Sequence, residues 1–418
     1  MFSVSRDYAP PFAMIAPFFV IGVIMYLFST ISFLFINPNS GHFDPILVGS
    51  VHLFLLGFVM MVIFGAMAQL IPVVVEVGHF SVDLYYVIWP LLLSGTLGMV
   101  FGFLFAPALL PYGGLLVLVS MLIYLYDTLM TLKKATNITL TVKTAVAANL
   151  FLTVGIIIGF ILALAIGAGV SFDVASWLST HAVMVLGGYV VLTIIGLSMI
   201  LLPMFGLAHG FDDKSGNLSF KLMVAGVILH FFSTLFGVES GKFLAFLIMF
   251  VAVAIYIKQI YLIYRVRARK EKEIWANSMF FGYGSLIVAT VLGVLALFVE
   301  SENIILASSW FLVVGFVGFL ITGHLFKIIP FLVWFERYAP LVGKKKVPML
   351  HEMYPKKISK YQFNFSAIGV VIGGVGLLIG NLDLFKGGVS LLIVGAFFMV
   401  MGVKFMLSFG KEEETKNV

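Results

Sequence analysis

Apolar residues run along this chain in continuous blocks rather than in alternation, and those blocks set the expected architecture. Stretches long enough to cross a bilayer, about 20 residues each, fall near 11–37, 46–75, 83–105, 108–132, 142–170, 174–208, 219–238, 240–266, 275–299, 303–335, 363–381 and 386–408. Twelve helical spans are expected. A membrane barrel strand would alternate apolar and polar residues over about 10 positions, and none of these blocks does. The fold class read from the pattern is all-α, a polytopic membrane protein.

Three of the blocks share one layout, in which a glycine stands seven residues before a proline: Gly65 and Pro72, Gly196 and Pro203, Gly323 and Pro330. The prolines are 131 and then 127 residues apart, close to a third of the 418-residue chain. We therefore expect a single membrane domain, 1–418, made of three pseudo-repeated four-helix units near 1–135, 136–272 and 273–418.

Composition sharpens this picture. Hydrophobic residues make up 61% and charged residues 11% of the chain, against roughly 25% charged in an ordinary soluble domain. Cysteine is absent, which excludes disulfides, thiolate metal sites and covalent haem attachment through CxxCH. The first apolar run is far longer than a signal h-region of about 7–15 residues, so it is expected to remain as a mature helix. Lysine and arginine gather in the loops after even-numbered spans, as in Lys133 and Lys134, the basic run that begins at Arg265, and Lys344 to Lys346. By the positive-inside rule both termini should be cytoplasmic, with the protein integral to an inner, cytoplasmic membrane. The net charge of +6 then reflects topology and the lipid bilayer as partner, not nucleic acid.

The candidate chemistry is histidine. His42, His79, His209 and His351 fall in loops, whereas His52, His181, His230 and His324 fall within apolar blocks. An ionisable side chain inside a span costs a few kcal/mol, so it is usually buried in the bundle and paired or used. His52 and His181 precede their prolines by 20 and 22 residues, which places both near the outer end of a span. His230, counted from a helix start at Ser219, should sit about 16 Å up its own span and near His181. His324 belongs near the cytoplasmic end, with Lys327 one turn on.

Neutral imidazole ligates haem iron, copper or zinc, and histidines at matched depth on separate helices suit that use. Gly57, Gly187 and Gly188 beside them would let a flat macrocycle approach the backbone, and Tyr189 is a polar companion. The competing reading is a hydrogen-bonded core histidine with glycines that serve helix packing.

The spans, the histidine near the start of the second followed by its glycine and proline, and the histidines of the sixth and seventh resemble the haem-copper oxidase subunit I superfamily, which includes the nitric oxide reductase large subunits. That resemblance implies its fold, with His52 as a low-spin haem ligand and His181 and His230 at the positions of the non-haem metal. It also implies an electron donor such as a quinol or cytochrome c. Departures are visible: His230 is followed by Phe231 and Phe232, and the tenth span has no histidine pair in its outer half. A proton-pumping oxygen reductase is not expected.

The expected function is a b-type cytochrome with one haem b, in electron transfer, sensing or nitric-oxide-related chemistry, with copper doubtful and a homo-oligomer open. A cofactor-free transporter or channel-like bundle is the alternative, since transport proteins also use internal repeats and Gly- and Pro-interrupted helices. A third reading is a copper- or haem-handling protein that uses His79, His209 and His324.

Overall fold

The computed structural model describes residues 10–41, 43–270 and 273–410. His42 and both chain termini lie outside the described residues. Among the described residues, twelve helices are long and apolar enough to cross a membrane: α1 (Phe12–Phe35), α2 (Pro45–Val75), α3 (Leu84–Leu104), α4 (Pro107–Leu132), α5 (Leu140–Ala168), α6 (Val174–Gly206), α7 (Lys214–Leu235), α8 (Glu239–Arg265), α9 (Ile274–Ala296), α10 (Glu302–Arg337), α11 (Lys356–Leu378) and α12 (Leu382–Ser408). The protein is an integral membrane protein, all-helical among the described residues. Helices α7 and α11 begin at Lys214 and Lys356, earlier than hydropathy alone foresees. Their first turns are polar, and hydropathy marks the apolar stretch rather than the helix start.

The three long spans are each built as α-helix, π-helix, α-helix. In α2 the π segment is Leu53–Met60, in α6 Val183–Val191 and in α10 Phe311–Val317. Each follows a short first section that ends at His52, Ala182 or Trp310. The starts of two are capped: the Asp44 carboxylate accepts from the amides of Ile46 and Leu47, with Pro45 as the first helical residue, and Asp173 accepts from Ser176. Both devices satisfy amides that have no partner within the helix.

A second glycine accompanies each glycine-proline ending: Gly57, Gly188 and Gly315 stand eight residues before Gly65, Gly196 and Gly323. Side chains of the preceding helix fill the space that a Cβ would need. At Gly57 and Gly65 an added Cβ would lie 3.0 Å from Met25 Cβ and 2.7 Å from Phe18 Cβ of α1. At Gly188 and Gly196 the distances are 2.7 Å to Phe151 Cβ and 2.9 Å to Thr144 Cβ of α5. At Gly315 and Gly323 they are 2.8 Å to Ser285 Cβ and 2.6 Å to Ser278 Cβ of α9. Seven residues on the straight helix thus face eight on the long one. The wide π turn, closed by i→i+5 hydrogen bonds, takes up the extra residue.

The chain divides into two compact units, one holding Gln69–Glu271 and the other Pro10–Ala68 with Lys272–Val418. In the first, α3 and α4 form a hairpin, α5 packs along α6, and the α7–α8 hairpin lies against α6. In the second, α1 packs along α2, α9 along α10, and the α11–α12 hairpin reaches α10 and α1. The hairpins close through small residues: an added Cβ on Gly95 would stand 2.8 Å from the Gly113 oxygen, on Gly226 3.1 Å from that of Ala245, and on Gly369 2.7 Å from that of Gly388. Backbones that approach this closely gain dispersion contacts, the main attraction available where lipid is as apolar as the side chains.

Candidate functional site

His52 is the last residue of the first section of α2, and its Nδ1 lies 2.8 Å from the Val48 carbonyl one turn back. A carbonyl can only accept, so Nδ1 carries the proton and Nε2 the lone pair. The His181 Nδ1 lies 2.9 Å from the Gly155 carbonyl of α5, which fixes the same tautomer. Its ring rests on α5 where Gly159 leaves room: a Cβ there would stand 2.6 Å from Cε1. His324 repeats the pattern with Nδ1 2.7 Å from the Leu320 carbonyl, and its ring meets Trp275 edge-on.

His230 differs. It is fully buried, 16 residues or about 24 Å into a helix that starts at Lys214 rather than Ser219. Its Nδ1 faces the Thr180 hydroxyl at 3.4 Å, Thr180 donates to Thr234 at 2.8 Å, and the ring packs edge-on against Phe246 of α8. The expected approach of His230 to His181 is therefore made by Thr180 instead. One residue along α6 turns the His181 ring to α5, so the two imidazoles occupy different helix seams.

Registered on the paired glycines, His52 stands five residues before Gly57 and His181 seven before Gly188. That offset of two is about 3 Å along an α-helix and roughly 200° around it. His52 and Trp310 share one register, and His181 and Ser308 the other. Ser308 Oγ donates to the Ala289 carbonyl of α9 at 2.8 Å, the counterpart of the bond from His181 to Gly155.

The glycines expected beside a macrocycle are mostly occupied. Gly57 is taken by Met25 and Gly188 by Phe151, while Gly187 faces Met249, Val227 and Met223, none nearer than 3.7 Å to an added Cβ. Tyr189 is buried in the π turn of α6 and donates to the Tyr124 hydroxyl at 3.3 Å.

His79 is not the unremarkable loop residue that its position implied. Its side chain is 2% exposed and its Nδ1 lies 3.0 Å from Oδ2 of Asp127, which is fully buried in α4. His209 by contrast is exposed, and Lys327 forms an ion pair with Glu273 beside His324. Outside the spans, Tyr354 is held above its usual pKa, chiefly by burial and then by the Glu273 charge. Among the described residues no group of three or more His, Cys, Asp and Glu side chains converges on a point where a metal ion could sit.

No known family model matches the chain, and no curated protein matches it.

Proposed function

We propose that the chain is a membrane cytochrome of b type, with three pseudo-repeated four-helix units in the manner of haem-copper oxidase subunit I and both termini in the cytoplasm. One haem b would be held through His52, next to the π segment of α2, or through His181, next to that of α6. The role would be electron transfer, haem-linked sensing or nitric-oxide-related chemistry, with a quinol or cytochrome c as donor.

One observation carries this reading. In both histidines Nδ1 is committed to a backbone carbonyl, the outer-shell bond that metal-ligating imidazoles use to fix tautomer and ring orientation and raise basicity. Haem, when bound, supplies one-electron chemistry at its iron. The chain's own part is to present a neutral imidazole with its lone pair on Nε2, aimed by a bond that costs no charge in the membrane. His230 fits such a role less well, because Nδ1 meets a hydroxyl at 3.4 Å and the ring is enclosed by Thr180 and Phe246. The repeated packing of paired glycines supports the threefold plan. Absorption spectroscopy of purified protein, with His52→Ala and His181→Ala, tests the reading.

A cofactor-free transporter is the second reading, favoured by the buried polar side chains at Asp127, Thr128, Asn149 and Gln259. Substrate uptake by haem-free protein in proteoliposomes would establish it.

A further inference from the structure

Helix α8 carries a charge where a span ordinarily carries none. Lys258 lies within it, seven residues or about 10 Å before its end at Arg265. It is exposed, on a stripe that runs Val251, Ala254, Lys258, Tyr261 and Arg265, all of them exposed. Steps of three and four keep these residues on one face of the helix. The opposite face, with Ala245, Met249, Ala252, Tyr256 and Gln259, is buried. It closes on α7, where Ala245 and Met249 meet Gly226 and the Ala252 carbonyl accepts from Ser219 Oγ at 2.8 Å. The stripe therefore faces away from the hairpin.

Gln259, the next residue along, has a task inside the hairpin. It accepts from the Gly216 amide at 3.0 Å and donates to the Asp212 carbonyl at 2.8 Å, and so pins the loop before α7. Asp127 does the same in α4, where it accepts from the Ser81 amide at 2.8 Å, and each follows a buried tyrosine, Tyr256 or Tyr124, by three residues. Lys258 is turned away from any such task. The residue before Asp127 is Tyr126, exposed as Lys258 is, so the hairpin itself needs no cation here. Among the described residues neither Lys258 nor Arg265 pairs with a carboxylate, and Asp212 of the facing loop is paired with Lys214 at 3.2 Å. Arg265 instead lies over the Tyr261 ring, with Cζ 5.9 Å from its centre, one turn back in the direction of Lys258. Arg267 differs, because its guanidinium donates to the Tyr264 and Arg269 carbonyls at 3.1 and 3.2 Å and is tied to the backbone. The stripe thus holds two cations on long stems with a tyrosine between them.

We propose that Lys258, Tyr261 and Arg265 bind the headgroup of an anionic phospholipid, with its phosphate between the two cations and an acyl chain along Ala254 and Val251. The inference is independent of the haem reading. An ammonium on the outer side of a span avoids hydrocarbon by extending its stem toward the headgroups, and the anion it meets there is a lipid phosphate. Helix α8 has the length for this: 27 residues reach about 40 Å, against a hydrocarbon core of about 30 Å, so its last turns stand at headgroup level. Basic side chains at that level attract anionic lipids in general. Two of them on one stripe, with a phenol as donor between them, hold a single lipid rather than a diffuse layer.

The test is native mass spectrometry of the full chain in neutral detergent, titrated with phosphatidylglycerol and, separately, with phosphatidylcholine. The wild type is expected to retain one phosphatidylglycerol in preference to phosphatidylcholine by about tenfold. Lys258→Gln and Arg265→Gln should each weaken its binding about fivefold, and the double variant should lose the preference. Lys221→Gln, which removes an exposed lysine of α7 outside the stripe, should leave it unchanged. Lys258→Gln alone decides the matter if the double variant does not fold. Equal retention of the two lipids by the wild type, or an undiminished preference in Lys258→Gln, would overturn the proposal. So would an equal loss in Lys221→Gln, the mark of diffuse attraction, or displacement of the lipid by equimolar inorganic phosphate, the mark of a bare anion site. Haem absorbance plays no part in this readout.

Discussion

His52 and Trp310 occupy one register of two long spans, yet they point their ring nitrogens at different backbones. The Trp310 indole donates to the Val370 carbonyl of α11 at 2.9 Å, whereas the His52 Nδ1 turns to Val48 of its own helix. The tryptophan bond ties helix to helix; the Nδ1 bond of the histidine stays within α2. Trp310→Phe should therefore lower stability by about 1 kcal/mol through the lost bond, measured by thermal unfolding in detergent, with any haem spectrum unchanged.

The adjacent glycines of α6 should respond oppositely to substitution. Gly188→Val drives a side chain into Phe151, and overpacking of this kind costs about 1–3 kcal/mol. Gly187→Ala meets nothing nearer than 3.7 Å and should stay within about 0.5 kcal/mol of wild type. Unfolding midpoints of the two variants decide the point, and equal effects would contradict the packing described.

Removal of the Asp127 carboxylate should free the loop that precedes α3. Asp127→Ala strands the buried His79 ring and the Ser81 amide, a loss of about 1.5–3 kcal/mol for hydrogen bonds to a charged group. Amide exchange at residues 79–81 should quicken, while the loop pinned by Gln259 keeps its protection. Unchanged protection at 79–81 would show that the pair holds nothing.

Acid should fray the start of α6. The hydroxyl and amide of Ser176 hold the Asp173 carboxyl below the usual carboxylate range, so its stabilising contribution is present above the unfolded-state pKa. It is lost as pH falls through the lower folded value, in the region below about pH 4. Hydrogen exchange at Ser176 and Trp177 should rise there in wild type, and Asp173→Asn, which still caps but cannot titrate, should remove the pH dependence.

Much of the fold was legible in the chain itself. Apolar blocks gave the spans because a lipid-embedded helix must be apolar around most of its surface, and the glycine-proline spacing marked three of them as alike. The same uniformity hid the π segments, since a helix apolar on every side carries no periodicity to reveal a widened turn. The spacing of Gly57, Gly188 and Gly315 is visible in the chain, yet in sequence a glycine beside a histidine reads equally as room for a ligand. Only the side chains of the neighbouring helix reveal their packing role. His79 and Asp127 were opaque for another reason. Their partnership spans 48 residues, and depth along each helix says nothing about which loop folds back over which span. The signal that could have exposed it was the matching tyrosine spacing before Asp127 and Gln259.

The central claim is that iron porphyrin is bound through His52 or His181, and the most direct measurement is the absorption spectrum of protein purified after haem-sufficient expression, with pyridine-haem quantification. The account predicts a Soret band, about one haem b per chain, and its loss or marked shift in His52→Ala or His181→Ala. Colourless, well-folded protein, or a haem band indifferent to both substitutions, would contradict it.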